Sequence, residues 1–249
     1  MNVSTALTMG NSAKLYCLDW IEQYVLKRNE KVKILDLGCG TALNFVNLLK
    51  LYPQAGYVGV DPSKGSCLRA QQNLTGLNAK ILNSQAYGIY ELLEEQFDII
   101  VSFSVFEHVY RRMDYLRAAY KCLKDEGYFL INYDAGHFFH WKERTLQTIG
   151  FLLARFGVER FYMSFVKEQD FLEMIKKTGF KIIDSKFFNT RLKGTCKVIP
   201  KHQVLEYMKK WLEFELWLNE IGIDYDDSKA TFFGTRNFIL VKTRHESLV

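Results

Sequence analysis

Apolar positions along the chain follow two spacings, and these predict a regular succession of strands and helices. Runs of consecutive apolar residues predict buried strands at residues 32–37, 57–60, 80–82, 97–103 and 128–133. Helical spacing predicts helices at residues 11–26, 42–51, 62–74 and 113–123, the last closed by a turn at 124–127. Strands that alternate with helices in this way require a parallel sheet covered on both faces, and right-handed crossovers make it doubly wound.

The regular alternation stops after Asp134. Residues 135–166 are rich in aromatic and basic side chains and show no strand pattern. A helix at 167–178 and a strand at 180–187 follow, then a helical stretch at 205–221 and a last strand at 235–243. We therefore expect one α/β domain. Its core comprises residues 30–134, 167–188 and 235–244, and the insertions 135–166 and 189–234 form a mostly helical cap over the ligand-binding edge.

Composition narrows the class of protein. The chain has 249 residues, 48% of them apolar, so it can bury a large core. Its net charge of +5 is dispersed, which argues against nucleic acid as a partner. An odd number of cysteines without a C-x-x-C pair argues against a disulfide framework or a zinc site. These cysteines are Cys17, Cys39, Cys67, Cys122 and Cys196. We see no signal peptide and no membrane-spanning run, so we expect a cytoplasmic protein; its oligomeric state stays open.

The segment ILDLGCGTA, residues 34–42, joins the first strand to the next helix through Gly38 and Gly40. Glycines allow the sharp turn and let a ligand approach the backbone at the helix N-terminus. Asp61 ends the second strand, where a carboxylate can accept both ribose hydroxyl protons. Leu43 stands where dinucleotide-binding proteins carry a third glycine, so the pattern disfavours a pyrophosphate cofactor.

Four segments together resemble the class I S-adenosylmethionine-dependent methyltransferases, especially the small-molecule branch related to quinone-biosynthesis enzymes. They are ILDLGCGTA, GVDPS, FDIIVSFSVFEHV and LKDEGYFLINY, and the resemblance returns in FLEMIKKTGFKIID. It covers residues 32–133 closely. The resemblance implies a Rossmann-like, seven-stranded sheet of order 3-2-1-4-5-7-6 with the last strand antiparallel. It also implies S-adenosyl-L-methionine as cofactor and S-adenosyl-L-homocysteine as product.

The resemblance assigns cofactor-binding roles residue by residue. At the methionine end these are Asp36, Gly38, Cys39 through its backbone, Gly40 and Asn44. At the nucleoside end they are Asp61 for the ribose, then Pro62, Ser63, Gln85 and Ala86 for the adenine. The adenine turn of the family usually carries an acid, but here it reads Asn-Ser-Gln-Ala, so the Gln85 carbonyl takes that part. Ser102 and Phe103 are expected to flank the methyl group. His108 is expected to pack under the cofactor, and a catalytic role is its alternative.

Metal-binding relatives carry an acid three residues before Glu107, where this chain has Ser104, so we expect no metal. Substrate residues are expected after the fifth strand, where His137 or His140 could act as general base and Asp134 could position the substrate or cap the turn. For each of the two histidines, a surface position without a catalytic role is the equal alternative.

Arg144, Arg155 and Arg160, together with the local rings, suit an anionic or aromatic small-molecule acceptor. The favoured reaction is O-methylation, with N- or C-methylation next. A non-catalytic S-adenosylmethionine-binding interaction protein is a further alternative. An RNA methyltransferase is disfavoured because no Asn-Pro-Pro-Tyr-like motif follows the fourth strand.

Overall fold

The structure, a computed structural model, describes residues 12–27, 31–134, 141–188, 198–222 and 234–243. Seven strands form one sheet in the order β3-β2-β1-β4-β5-β7-β6. The strands are β1 (Lys33–Leu37), β2 (Gly56–Asp61), β3 (Ala79–Asn83), β4 (Phe97–Phe103), β5 (Leu123–Asp134), β6 (Phe180–Phe188) and β7 (Thr235–Lys242). Strand β7 is antiparallel to both β5 and β6, whereas the pairs among β1 to β5 are parallel. The expected fold class, strand order and antiparallel last strand are confirmed.

Helices cover both faces of this sheet. They are α1 (Ser12–Lys27), α2 (Val46–Leu51), α3 (Lys64–Asn73), α4 (Arg112–Cys122), α5 (Trp141–Arg155), α6 (Glu168–Thr178) and α7 (Val204–Glu220). Side chains of α1, α2, α3 and α7 share one apolar core, and those of α4 and α6 share the other. The central strands are therefore apolar on both sides, which explains their continuous apolar runs.

The expected start of the fifth strand is corrected by the structure. Residues 124–127, predicted as a turn before that strand, lie within β5. Pairing starts five residues earlier than expected, at Leu123 opposite Phe97, and resumes at Tyr128 opposite Ile99. Two lysines stabilise this early start: Lys124 Nζ pairs with Asp98 Oδ1 at 2.8 Å, and Lys242 Nζ donates to the Leu123 carbonyl at 2.8 Å. Residues 124–127 form an irregularity between these two pairings, with Glu126 at φ +62°.

The two segments predicted as insertions are helical where they are described. Helix α5 lies against the 3₁₀ turn Glu159–Phe161, where a Cβ on Gly150 would come within 2.4 Å of the Phe161 carbonyl oxygen. Helix α7 packs on α1 and β6 and buries Met208 and Leu212. We name the first of these regions, residues 141–166, the post-β5 segment. The division into core and cap stays a prediction.

Among the described helices, none has the length and apolarity needed to cross a membrane.

Arg236 of β7 is buried, with only 2% of its surface exposed. Its guanidinium pairs with the Glu168 carboxylate in the first turn of α6 and lies 3.5 Å from the centre of the Phe187 ring. A buried charge is costly unless a partner neutralises it. This pair therefore fixes α6 against the antiparallel end of the sheet.

We expect Glu168→Gln to lower the free energy of unfolding by about 2–4 kcal/mol, because it removes the negative charge that pairs with a buried guanidinium. The matched control on the same helix is Glu173→Gln, whose carboxylate is 58% exposed and pairs with Lys177. That change should cost less than about 0.5 kcal/mol. Urea unfolding of the three proteins is the measurement. Equal losses in both variants would contradict a stabilising role for the buried pair.

Candidate cofactor site

The site begins at the turn that follows β1. Gly38 has φ +84° and Gly40 has φ +53°, both in the region that glycine adopts readily. The N–H groups of Gly38 and Cys39 both donate to the Val60 carbonyl, at 2.8 and 3.0 Å. A Cβ on Gly38 would lie only 2.4 Å from Val105 Cγ2. The turn is therefore pinned to β2 on one side and to Val105 on the other.

Asp61 holds the second half of this turn. Its Oδ2 accepts the Gly40 N–H at 2.9 Å, and its Oδ1 accepts the Ser63 N–H at 2.9 Å. Each carboxylate oxygen can accept more than one hydrogen bond, so both keep capacity for a ligand. Two neighbouring hydroxyl groups, as in a ribose, match such a pair of acceptors.

A cavity of about 540 Å³ opens beside this turn, within the size range of small-molecule and cofactor sites. Its walls come from the ends of β1, β2 and β4, the turn after β3, helix α4 and the post-β5 segment. The lining residues are Gly38, Val60, Pro62, Ser63, Ser84, Gln85, Ala86, Tyr87, Val105, His108, Val109, Tyr115, Glu159 and Arg160. Walls that combine apolar surface with polar side chains suit a flat, partly polar ring system.

Six of the predicted cofactor residues line this cavity: Gly38, Pro62, Ser63, Gln85, Ala86 and His108. Asp61 and Gly40 lie beside it in the glycine turn. Asn44 is half-buried in the 3₁₀ turn Leu43–Phe45 and is not among the lining residues. The glycine turn and the turn after β3 thus meet around one space.

Four other predicted cofactor residues have side chains that are buried away from the cavity. Cys39 and Phe103 pack in one apolar core, and the Phe103 ring is stacked 6.2 Å from that of Phe45. Ser102 Oγ is hydrogen-bonded to the Tyr115 hydroxyl at 2.7 Å. Any contact that Cys39, Ser102 or Phe103 makes with a ligand must therefore come from the backbone.

Asp36 is the fourth buried residue, and its Oδ2 accepts the Tyr57 hydroxyl proton at 2.8 Å. Burial raises the pKa of the Asp36 carboxyl to about 7, although the Tyr57 hydrogen bond lowers it. Asp36 Oδ1 is buried without a hydrogen-bond partner in the described structure. The free Oδ1 atom of Asp36 can therefore accept a hydrogen bond from a group placed nearby, and a positive charge there would favour the ionised carboxylate.

Asp98, by contrast, serves the sheet. Its Oδ2 accepts the Lys33 N–H at 2.8 Å and its Oδ1 pairs with Lys124. Asp98 therefore joins the start of β1 to the start of β5.

The predicted substrate residues are only partly described. His137 and His140 lie outside the described residues, and so does the side chain of Arg144. Asp134 ends β5, is half-buried, and its N–H donates to Glu107 Oε1 at 3.3 Å. Arg155 is exposed, whereas Arg160 lines the cavity and its guanidinium lies 4.3 Å from the centre of its neighbour's ring, that of Phe161. Within the described part of the chain, His, Cys, Asp and Glu side chains form no cluster of three that could hold a metal.

The post-β5 segment is anchored at this edge of the sheet by Ser164. Its N–H donates to the Glu107 carbonyl at 2.9 Å, and its Oγ accepts from Arg112 Nη2 at 2.7 Å. The Tyr162 hydroxyl also lies 2.7 Å from Ser164 Oγ. A second anchor joins the Tyr87 hydroxyl to Glu159 Oε2 at 2.8 Å.

Sequence analysis missed Tyr87 and Glu159 as site residues. Tyr87 directly follows the Gln85–Ala86 turn, so a ring beside a predicted adenine site was a usable signal. Glu159 is 74 positions from Gln85 (159 − 85), and no local pattern marks it. Only the folded chain brings Glu159 to this wall.

The fold and the site together define a Rossmann-like domain that suits a nucleoside cofactor without a pyrophosphate. This is the class of the class I S-adenosylmethionine-dependent methyltransferases. A family model described as a methyltransferase domain matches residues 9–185. The chain belongs to this methyltransferase-domain family, which confirms the resemblance and identifies S-adenosylmethionine as the expected cofactor.

Two curated relatives have named reactions. The ubiquinone biosynthesis O-methyltransferase of Ruegeria pomeroyi is 33% identical over 98 residues, or 39% of this chain and 38% of the relative. The malonyl-[acyl-carrier protein] O-methyltransferase of Priestia megaterium is 30% identical over 105 residues, or 42% of this chain and 37% of the relative. The matches thus span less than half of each relative's length.

Among solved structures, the plantazolicin methyltransferase BamL, in complex with a triazolic desmethylPZN analogue and S-adenosylhomocysteine, superposes with a TM-score of 0.58. The match covers 94% of this chain and 86% of that one, at 14% identity. This likeness concerns the fold, and it extends over nearly the whole chain.

We expect Gly38→Ala to lower the free energy of unfolding by about 2–4 kcal/mol, from positive-φ strain and the clash with Val105. Adding Val105→Ala should make the double variant less than additive, because it removes the clash but not the strain. The matched glycine is Gly65 in α3, where an added Cβ meets no atom within 4 Å. Gly65→Ala should stabilise by about 0.5–1 kcal/mol. Additive losses in a denaturant double-mutant cycle would argue against the Val105 contact.

Proposed function

We propose that this protein transfers a methyl group from S-adenosylmethionine to a small-molecule acceptor, and that the acceptor atom is a hydroxyl oxygen. One observation carries the proposal: the glycine turn and the Asp61 carboxylate lie together beside a cavity of cofactor size. Membership of the methyltransferase-domain family supports it. We add a cytoplasmic location to the proposal, because the buried cysteines Cys17, Cys39, Cys67 and Cys122 are free thiols, which suits a reducing compartment.

The residues present fit this cofactor. In the proposed arrangement Asp61 accepts the ribose hydroxyl protons, and Pro62, Ser63, Gln85 and Ala86 surround the adenine. Gly38, Gly40, Asn44 and the buried Asp36 serve the methionine end, with backbone from Cys39, Ser102 and Phe103. His108 packs beside the ligand. When bound, S-adenosylmethionine supplies a methyl group on a sulfonium, which is already activated toward attack.

The work left to the protein is to hold the acceptor in line with the methyl group and to exclude water. Attack by a hydroxyl group also benefits from a base with a pKa near neutrality, which suits histidine. We propose His137 as that base, with His140 as the alternative and Asp134 as a substrate-positioning group. Asp134 ends β5 and both histidines come after it, and the carboxyl end of β5 lies at the same edge of the sheet as the glycine turn.

The acceptor is proposed to be small, with an aromatic or anionic part. Arg160 on the cavity wall offers a guanidinium that could pair with such an anion. Both named relatives are O-methyltransferases, which supports oxygen over nitrogen or carbon as the acceptor atom. A domain that binds the cofactor without turning it over is the alternative function, and it would show cofactor affinity with no methyl transfer to any acceptor.

We expect the wild-type protein to bind S-adenosylhomocysteine and not NAD in calorimetry. Asp61→Ala should weaken S-adenosylhomocysteine binding by about ten- to hundredfold, because a charge-assisted hydrogen bond is lost. The control is Asp98→Ala, which removes a carboxylate that serves only the sheet. It should lower stability while leaving ligand affinity within about twofold of the wild-type value. NAD binding without S-adenosylhomocysteine binding would contradict the proposed function.

Once an acceptor is found by a radiolabelled methyl-transfer screen, we expect His137→Ala to lower turnover at least about a hundredfold. Its affinity for S-adenosylhomocysteine should stay near the wild-type value, because the base contacts the nucleophile and not the cofactor. His140→Ala is the paired variant, and exposed His202 provides the control histidine. If neither variant loses more than a few-fold in turnover, no histidine base operates.

A further inference from the structure

The cavity wall contains a carboxylate that comes from the post-β5 segment. Among the described lining residues, Glu159 is the one that carries a carboxylate. It lines the same cavity as Gln85, Ala86 and Tyr87 of the turn after β3, and it is hydrogen-bonded to Tyr87. That turn reads Asn-Ser-Gln-Ala and has no acid of its own. The fold thus brings a carboxylate to a place where the local sequence supplies only an amide.

Hydrogen bonds fix the direction of this carboxylate. The Arg111 N–H donates to the Tyr87 hydroxyl oxygen at 3.2 Å, and because a backbone N–H can only donate, the Tyr87 proton is free to go to Glu159 Oε2. The Arg111 guanidinium lies 4.9 Å from the centre of the Tyr87 ring and steadies it. Oε2 is therefore engaged by Tyr87, and Oε1 keeps its capacity to accept a hydrogen bond from a ligand.

The backbone around Glu159 is also fixed. Tyr162 N–H donates to the Glu159 carbonyl at 2.8 Å, and Ser164 ties the following residues to Glu107 and Arg112. The carboxylate is thus held from both sides, by Tyr87 at its tip and by Ser164 along the chain. A group held in this way pays little ordering entropy when a ligand binds.

We propose that Glu159 accepts one hydrogen of the adenine amino group, with Tyr87 as its positioning residue. An exocyclic amine carries two hydrogens, so Gln85 and Glu159 can each accept one. A carboxylate is the stronger acceptor, because hydrogen bonds to charged groups are stronger than those between neutral groups. The proposal rests on the proposed function, since it names a further contact of the same cofactor. It makes the post-β5 segment part of the cofactor site as well as a cover for the acceptor.

The test compares two ligands that differ only in this amine: S-adenosylhomocysteine and its 6-deamino analogue, in which hydrogen replaces the amino group. We expect Glu159→Ala to weaken S-adenosylhomocysteine binding about tenfold or more and to leave the affinity for the analogue within about twofold. Glu159→Gln keeps an acceptor oxygen and should recover most of the loss. Tyr87→Phe should give an intermediate loss, again confined to the ligand that carries the amine.

The control variant is Glu173→Ala, which removes an exposed glutamate of α6 that is absent from the cavity lining. It should leave both affinities unchanged. Gln85→Ala is the competing variant, and loss of the preference for the amine in that variant alone would overturn the assignment to Glu159.

Two further outcomes are decisive. Equal losses for both ligands in Glu159→Ala would mean that Glu159 merely holds the post-β5 segment in place, and the proposal would be wrong. If the wild-type protein binds neither ligand, the proposed function itself fails, and this contact fails with it. Binding of S-adenosylhomocysteine that is indifferent to Glu159 would leave the proposed function standing and remove only this inference.

Discussion

The cofactor site depends on one constraint, the attachment of the glycine turn to the end of β2. Val60 receives two backbone N–H groups from the turn, and Asp61 receives a third from Gly40. Because β1 and β2 pair in parallel from Lys33–Gly56 to Leu37–Val60, the register of the sheet delivers these acceptors to the turn. Gly38 can close on Val105 only because it lacks a Cβ. The arrangement leaves backbone of the glycine turn on the cavity wall and the Asp61 carboxylate beside it, which is what a nucleoside cofactor needs.

The position of the post-β5 segment depends in turn on hydrogen bonds to this edge of the sheet. Ser164 and Arg112 join the segment to the turn that contains Glu107, and Tyr87 joins it to the turn after β3. Arg112 is half-buried, and burial lowers its pKa despite the nearby acidic groups. A guanidinium that is partly removed from water needs hydrogen-bond acceptors, and the Ser164 carbonyl and hydroxyl provide them. The segment is therefore built into the site and does not simply rest on it.

The fold leaves the chemistry of the acceptor undetermined, because a Rossmann-like sheet supports many reactions through the loops attached to it. In this chain the cofactor side of the cavity is made by short turns that follow β1, β2 and β3. The proposed acceptor side belongs to longer segments after β5, and connecting segments of this kind are the variable part of a fold in general.

The sequence by itself determined the sheet and the glycine turn, because both rest on local signals. Continuous apolar runs predict strands buried on both faces, and Gly38, Gly40 and Asp61 mark the turn at fixed spacing. It did not determine the start of β5, because Leu123 and Lys124 are held by Lys242 and Asp98, which are far away in sequence. Nor did it determine which side chains face the cavity, since Ser102 and Phe103 follow the strand pattern into the cores while Glu159 arrives from the post-β5 segment. Contacts between distant segments decide these features, and tertiary packing alone supplies them.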